Sequence, residues 1–289
     1  MAKLRDIKNR IGAVSKTRKI TRTMEMVSSS KMKRWQNVVL SSRPYSNALA
    51  EVMRQLSTSP AAMSHPLMQK RDEINKVALL VLTSNRGLCG AFNNNISKKA
   101  YFLYQDYKAQ DMEVELYAVG KKGIYYFRHR GIPLAYKNIT LTESFSSEEA
   151  REFTEFISEA FLSGKVDRVE VVYSRFISSG RQEVVNEQLL PLTAPVEAER
   201  EITETDFIFE PSAREIVDTL LPLCVQSNVY RMIAENITSE HAARRRAMKQ
   251  ATDNAEEMIT FLTRKFNRER QAQITKELSE IVSGSDALG

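Results

Sequence analysis

Two cysteines and three histidines in 289 residues leave this chain short of the raw material for several chemistries. Cys89 and Cys224 are too few for a disulfide framework or a cysteine metal cluster, which fits a reducing compartment, and both read as packing residues. His65, His129 and His241 fall in separate segments with no cysteine or carboxylate at ligand spacing, so no metal site is expected. There is no run of about 18 apolar residues, and the opening MAKLRDIKNR lacks the apolar stretch of a secretory signal. Nothing here is expected to span or cross a membrane by itself. Glycine is missing from Arg214 to Ser283, where Pro222 is the only proline. The first 57 residues hold one interior glycine, Gly12, and one proline, Pro44.

Those last two absences predict two very long helices at opposite ends of the chain. At ~1.5 Å per residue, an unbroken helix after Pro222 would reach roughly 90 Å, more than a single core of this size can bury. The two ends must therefore find each other or other proteins. Enough of the chain, 42%, is hydrophobic to fill one ordinary core, which argues against wholesale disorder. The net charge of +6 is unevenly spread: Met1 to Arg43 carries twelve bases against only Asp6 and Glu25. Arg244, Arg245, Arg246, Lys249, Arg264, Lys265, Arg268, Arg270 and Lys276 make the second helix basic too, which suits an acidic surround or simply a solvated surface.

In the first segment Leu4, Ile7, Ile11 and Val14 step by three and four residues, the spacing of a coiled-coil seam. Continued through Arg18, Thr21, Met24 or Glu25 and Ser28, the seam turns small or polar, which allows close helix approach or outside contact. Trp35, Val38, Val39, Leu49, Val52, Met53 and Leu56 restore an apolar stripe, and Pro44 is expected to kink or end the helix between them. Near the other end, Ile216, Leu220, Leu223, Tyr230, Ile233 and Ile237 begin a second seam. Met248, Ala251 or Thr252, Ala255, Met258, Leu262, Phe266, Ile274, Leu278 and Ile281 resume it.

The middle of the chain reads differently. Leu56 to Glu73 is a linker with two prolines, and Val77–Thr83, Val114–Gly120, a stretch near IPLAYKN, and VDRVEVVYSRF followed by EVVNEQLLPL read as strands. Helical spacing over Phe92–Tyr107, KKGIYYFRHRG and Ser147–Leu162 separates them, and that alternation implies a mostly parallel sheet. The acidic segment between Leu192 and Pro211, with Phe207, Ile208 and Phe209 expected to dock, returns the chain to its second long helix. The fold class expected is thus α/β with long helices: an antiparallel coiled coil of the N- and C-terminal helices plus a small, mostly parallel, Rossmann-like domain. Its parts are an N-terminal coiled-coil helix over 1–57, an α/β domain over 76–195 and a C-terminal coiled-coil helix over 211–285.

SNRGLCGAFN lies between a strand and a helix, where α/β folds bind phosphate. Gly87 and Gly90 are only three apart, however, and neither G-x-G-x-x-G nor a P-loop lysine is present, so a contact turn is the better reading. Cys89 has no evident base to activate it. No catalytic residue, nucleotide site or cofactor is assigned. Three readings remain on residues alone: a basic coiled coil binding nucleic acid or acting as a scaffold, an α/β enzyme with helical arms, and a shaft seated in an acidic or apolar ring. Interspersed Asp253, Glu256, Glu257, Glu269, Glu277 and Glu280 disfavour the first.

Four segments carry a resemblance: KITRTMEMVSSSKM (19–32), TSNRGLCGAFNNNI (83–96), SEHAARRRAMKQATDNA (239–255) and ERQAQITKELSEIVSG (269–284). In this order and over essentially the whole chain, they resemble the gamma-subunit family of F-type ATP synthases. The resemblance implies a central-stalk subunit, non-catalytic itself, whose coiled coil enters a ring of three alpha and three beta subunits. It also implies an epsilon subunit and a membrane c-ring as partners of the lower stalk, with no nucleic acid or directly bound nucleotide. Rotor–head contacts carry over to Met24, Arg244, Gln271 and Thr275, and a head-contact loop to Arg86 and Cys89. Arg245 and Arg246 depart from the apolar or small residues common at those places, which would make the local contact more salt-sensitive, and Gln273 stands where a small residue is common. There is no cysteine pair of the chloroplast branch, so thiol control of that kind is not expected. The lack of an evident transit peptide points to the cytoplasmic face of a bacterial plasma membrane, with peripheral attachment through the c-ring.

Overall fold

The computed structural model describes residues 2–56, 60–71, 73–142, 145–193 and 212–286. Phe207, Ile208 and Phe209 lie outside them. Among the described residues eleven elements follow in order: α1 (Ala2–Leu56), α2 (Pro60–Met63), β1 (Lys76–Leu82), α3 (Phe92–Ala109), β2 (Glu113–Val119), α4 (Lys121–His129), β3 (Tyr136–Asn138), α5 (Ser147–Leu162), β4 (Arg168–Phe176), β5 (Gln182–Leu190) and α6 (Ala213–Asp286). The long helices expected at both ends are present, and α1 does not end at Pro44, one of the two outcomes expected there.

The chain divides into two compact units. One runs from Ser30 to Ala243 and contains the sheet, in the order β3-β2-β1-β4-β5. Strands β1, β2, β3 and β4 pair in parallel, and β5 returns antiparallel along β4. This unit is wider than the 76–195 span that strand–helix alternation marks, because it takes in part of each terminal helix. The near-continuous apolar run of β1 is explained by cover on both faces. Ala78, Leu80 and Leu82 belong to the core cluster that includes α5, α1 and α6 residues, whereas Leu79 and Val81 join Phe92, Ile96 and Ala100 of α3 and Phe127 of α4. Such alternation is the period-two geometry of a strand.

Local chemistry sets the ends of these elements. Ser146 accepts from the Glu149 amide at 3.1 Å while the Glu149 carboxylate accepts from the Ser146 amide at 2.8 Å, a capping box that starts α5. Asp167 accepts from the amides of Asn75 and Lys76 at 2.9 and 2.8 Å and from Arg71 at 3.0 Å, fixing the entry to β1. Trp35 of α1 stacks on Phe145 with ring centroids 5.3 Å apart, and Phe145 meets Tyr230 of α6 at 5.0 Å. These aromatic pairs bind both long helices to the same core.

The second unit comprises the described residues up to Ser29 and from Arg244. Here α1 and α6 pair along the thin seam expected: Ile7, Thr21 and Ser28 are buried on α1, with Leu4, Ile11, Val14, Arg18, Met24 and Glu25 half-buried between them. On α6 the seam runs through Met248, Thr252, Ala255, Ile259, Leu262 and Phe266, in steps of three and four. It takes Ile259 rather than Met258, which is 53% exposed, because Ile259 lies seven residues from both Thr252 and Phe266 on the same seam. Val52 and Leu223, also placed on apolar stripes from sequence, are exposed in the larger unit.

Candidate functional site

Among the described residues, two places bear on what the chain could contact. The first is the loop after β1. Thr83 closes the strand by donating both its amide and its hydroxyl to the Val119 carbonyl at 2.8 Å, and its hydroxyl accepts from the Gly123 amide at 2.8 Å. A Cβ on Gly120, whose φ is +92°, would lie 2.3 Å from the Thr83 carbonyl oxygen, so only glycine allows that closure. Asn93 then accepts from the Ser84 amide at 2.9 Å and donates to the Ser84 hydroxyl at 2.8 Å and the Cys89 sulfur at 3.1 Å. Asn85 bonds the Ile139 carbonyl and Thr142 at 2.8 and 2.9 Å and accepts from the Lys121 amide.

The loop is therefore held at both ends. Cys89 is buried and packs with Phe92 and Ile96, while Arg86 is exposed. The residue that sequence reasoning missed is Leu88, which is 62% exposed at φ +61°. A leucine in the left-handed region costs roughly 1–2 kcal/mol, and among the described residues little apolar burial offsets it. The signal was obscured because Gly87 and Gly90 are the obvious candidates for such backbone, and only Gly90 takes it.

The second place is the far end of α6. Thr21 and Thr252 share a hydrogen bond of 2.8 Å, and Arg18 reaches Glu256 at 3.4 Å, so a step toward one end of α1 is a step the other way along α6. Carried to Ala2, that antiparallel register reaches about Gln271. Beyond it α6 continues to Asp286 without a helix to face among the described residues. Ile274, Leu278, Ile281 and Val282 lie there at helical spacing, 48% to 68% exposed. Gln271 and Thr275 are exposed beside them, the Thr275 hydroxyl donating to the Gln271 carbonyl at 3.0 Å.

The remaining residues singled out from the sequence sit elsewhere. Met24 is half-buried on the seam, and Arg244 is 6% exposed, held within this chain. The structure does not bring Met24, Arg244, Gln271 and Thr275 into one cluster; they are strung along two helices. Among the described residues no group of three histidine, cysteine or acidic side chains could hold a metal ion. Burial pushes the Cys224 thiol up to about 11, which leaves it a poor nucleophile at neutral pH.

A family model described as ATP synthase matches residues 3–288. Relatives carry the comparison to the subunit: an ATP synthase gamma chain of Pelotomaculum thermopropionicum is 42% identical over 288 residues, covering all of both chains. The chain belongs to the ATP synthase gamma chain family. A gamma chain of Leptospira biflexa is 39% identical over the full length of both. Among solved structures, a chain of the Euglena gracilis mitochondrial ATP synthase (OSCP/F1/c-ring) superposes with a TM-score of 0.65 at 18% identity, covering 99% of this chain and 95% of that one. A chain from the central stalk and c-ring of the Tetrahymena thermophila enzyme gives 0.62 at 22%, covering 80% and 99%. At these identities the structural likeness speaks for the gamma-chain fold, with its long terminal helices and five-stranded sheet.

Proposed function

We propose that this chain is the central-stalk rotor of an F-type ATP synthase, turning ion-driven rotation of a c-ring into conformational change at catalytic sites that other subunits carry. The observation that carries the reading is the end of α6, where an apolar stripe outruns its partner helix and is left for an outside sleeve. A ring of three alpha and three beta subunits supplies that sleeve. One asymmetric shaft cannot touch three equivalent beta subunits identically, so each is biased to a different conformation by its own contact energy.

Within that reading, 1–57 and 211–285 form the shaft and 76–195 the body below the head. Gln271 and Thr275 contact the head from the exposed face of α6, and Met24 and Arg244 set the shape of the shaft where the moving beta loops press on it. Arg86, with Leu88 beside it, presents the contact loop, and buried Cys89 keeps its shape. The lower body engages the epsilon subunit and the c-ring. The chain holds no nucleotide and performs no chemistry, and it associates peripherally with the cytoplasmic face of a bacterial plasma membrane. No described helix is long and apolar enough to cross one.

The test is native mass spectrometry of the complex captured with this chain from host membranes in mild detergent. One copy with three alpha and three beta subunits is expected. A homodimer carrying nucleic acid would overturn the reading.

A further inference from the structure

Most of the larger unit is held by apolar packing, whose driving force is non-directional. One seam is different. Where α6 crosses the β4–β5 hairpin, the contacts are polar, directional and largely buried. Glu187 of β5 accepts from Tyr173 Oη at 2.7 Å, from Arg175 at 2.7 Å and from Arg231 of α6 at 2.5 Å. Arg231 also donates to Tyr173 Oη at 3.2 Å and lies 3.6 Å from Glu235, one turn further along α6. Burial pushes the Glu187 carboxyl up, but Arg231, Tyr173 and Arg175 outweigh it and hold it below the usual range, so it stays charged.

One turn beyond, α6 grips the backbone of the neighbouring strand β4. Asn236 Oδ1 accepts from the Ser174 amide at 3.0 Å, and Ser239 Oγ donates to the Ser174 carbonyl at 2.9 Å. Strand β1 pairs with β4 only as far as Val81↔Val172, so side chains of α6 complete the ladder where a neighbouring strand has ended. Asn236 and Ser239 are buried, as are all residues from Met232 to Ala242. Four hydrogen bonds from α6 to the hairpin thus fall within nine residues of the helix, each tied to a particular atom on the sheet.

We propose that Arg231, Glu187 and Tyr173, with Asn236 and Ser239 on Ser174, form the joint that carries torque between the α/β body and the shaft helix. A helix packed by leucines can shift by part of a turn and repack. A guanidinium forked between a carboxylate and a phenol, beside two side chains that hold the amide and the carbonyl of a single residue, has no equivalent neighbouring position to move to. The joint positions the shaft against rotation relative to the sheet. It rests on the rotor reading, since without rotation there is no load for it to carry.

The experiment uses the assembled enzyme in inverted membrane vesicles, comparing wild type with E187Q/R231M. The glutamine still accepts the Tyr173 hydroxyl, and methionine fills the arginine stem's volume, so the pair removes the charged fork while leaving the cavity filled. Expected is an assembled complex with ATP hydrolysis within about twofold of wild type, and gradient-driven ATP synthesis reduced at least threefold, the deficit growing as the opposing phosphorylation potential is raised. Arg231→Lys, which keeps charge without the fork, falls between. Wild-type synthesis by the double variant at every load overturns the joint. So does an equal fall in assembly, hydrolysis and synthesis, because that marks a folding role alone. If the wild-type chain itself is absent from the alpha–beta complex in the native mass spectrum, the rotor reading fails first and the joint with it.

Discussion

The two units of this chain solve the burial of a helix in opposite ways. In the larger one, the sheet and its helices enclose Tyr117, Tyr173, Phe127, Phe161 and Ile157 almost completely, and α6 is surrounded for three turns. In the smaller one, two helices meet along Thr21, Ser28, Thr252 and Ala255, and most of their surface faces outward. At roughly 25 cal/mol per Å² of apolar surface, the first arrangement stabilises itself and the second does so only weakly. A bare helical pair with a small-residue seam is a part whose final stability comes from what surrounds it. Under the proposed roles the base of the shaft is gripped by the self-sufficient larger unit, and the rest is left to be completed by the head.

Weakening the body tests this division most severely. Ile157 is fully buried on α5 in the main core cluster. Ile157→Ala is expected to cost about 2–5 kcal/mol, lowering the thermal midpoint by roughly 5–15 °C. Calorimetry of the purified chain reads this directly. A shift as small as that of an exposed seam substitution would show that the body is no better packed than the shaft.

Part of the contrast is legible in the amino-acid sequence. Short apolar runs bounded by turn residues mark the five strands and helical spacing marks the helices between them, because strands are short and end at glycine or polar turns whereas the helices keep their period for longer. The thin seam through Arg18, Thr21 and Ser28 is readable because heptad register propagates from Leu4, Ile7, Ile11 and Val14. The slip from Ile259 to Met258 arises where two apolar residues are adjacent and either satisfies a step of three or four. Of a kink or an end at Pro44, the end does not occur, because a proline inside a helix removes one hydrogen bond but need not end it when core contacts flank it, here Val39 and Leu49. The exposed stripe at the end of α6 is visible as apolar spacing, but that no described helix faces it follows only from the register of Thr21 on Thr252. The joint on Glu187 is invisible, since Arg231 lies 44 residues away on another element and no local period links them.

A smaller effect is expected on the shaft side. The Thr21–Thr252 hydrogen bond lies buried in the seam, and Thr252 also donates to the Met248 carbonyl at 2.9 Å. Thr21→Val leaves one hydroxyl without its cross-helix partner and is expected to cost about 1 kcal/mol, whereas T21V/T252V replaces both by isosteres and recovers most of that loss. Amide hydrogen exchange over residues 10–25 and 245–262 measures it locally, where global melting would report mainly on the body. If both single and double variants exchange alike, the threonine pair adds nothing to the seam.

The smallest effect concerns Glu235, which has the weaker claim on Arg231. Among the described residues its buried Oε2 has no hydrogen-bond partner, and burial together with Glu187 raises its pKa against the pull of Arg231 and Arg175. A carboxyl whose folded pKa exceeds its unfolded one favours the folded state below the unfolded value, ~4.3, and gives up that contribution as the pH rises toward the folded value. Glutamine mimics the protonated form and cannot ionise. Glu235→Gln should therefore match wild type in acid and become the more stable of the two above that window, by about 1 kcal/mol or ~2–4 °C in thermal midpoint. A difference independent of pH would mean that Glu235 is charged and well paired throughout, and that the Arg231 guanidinium serves both carboxylates equally.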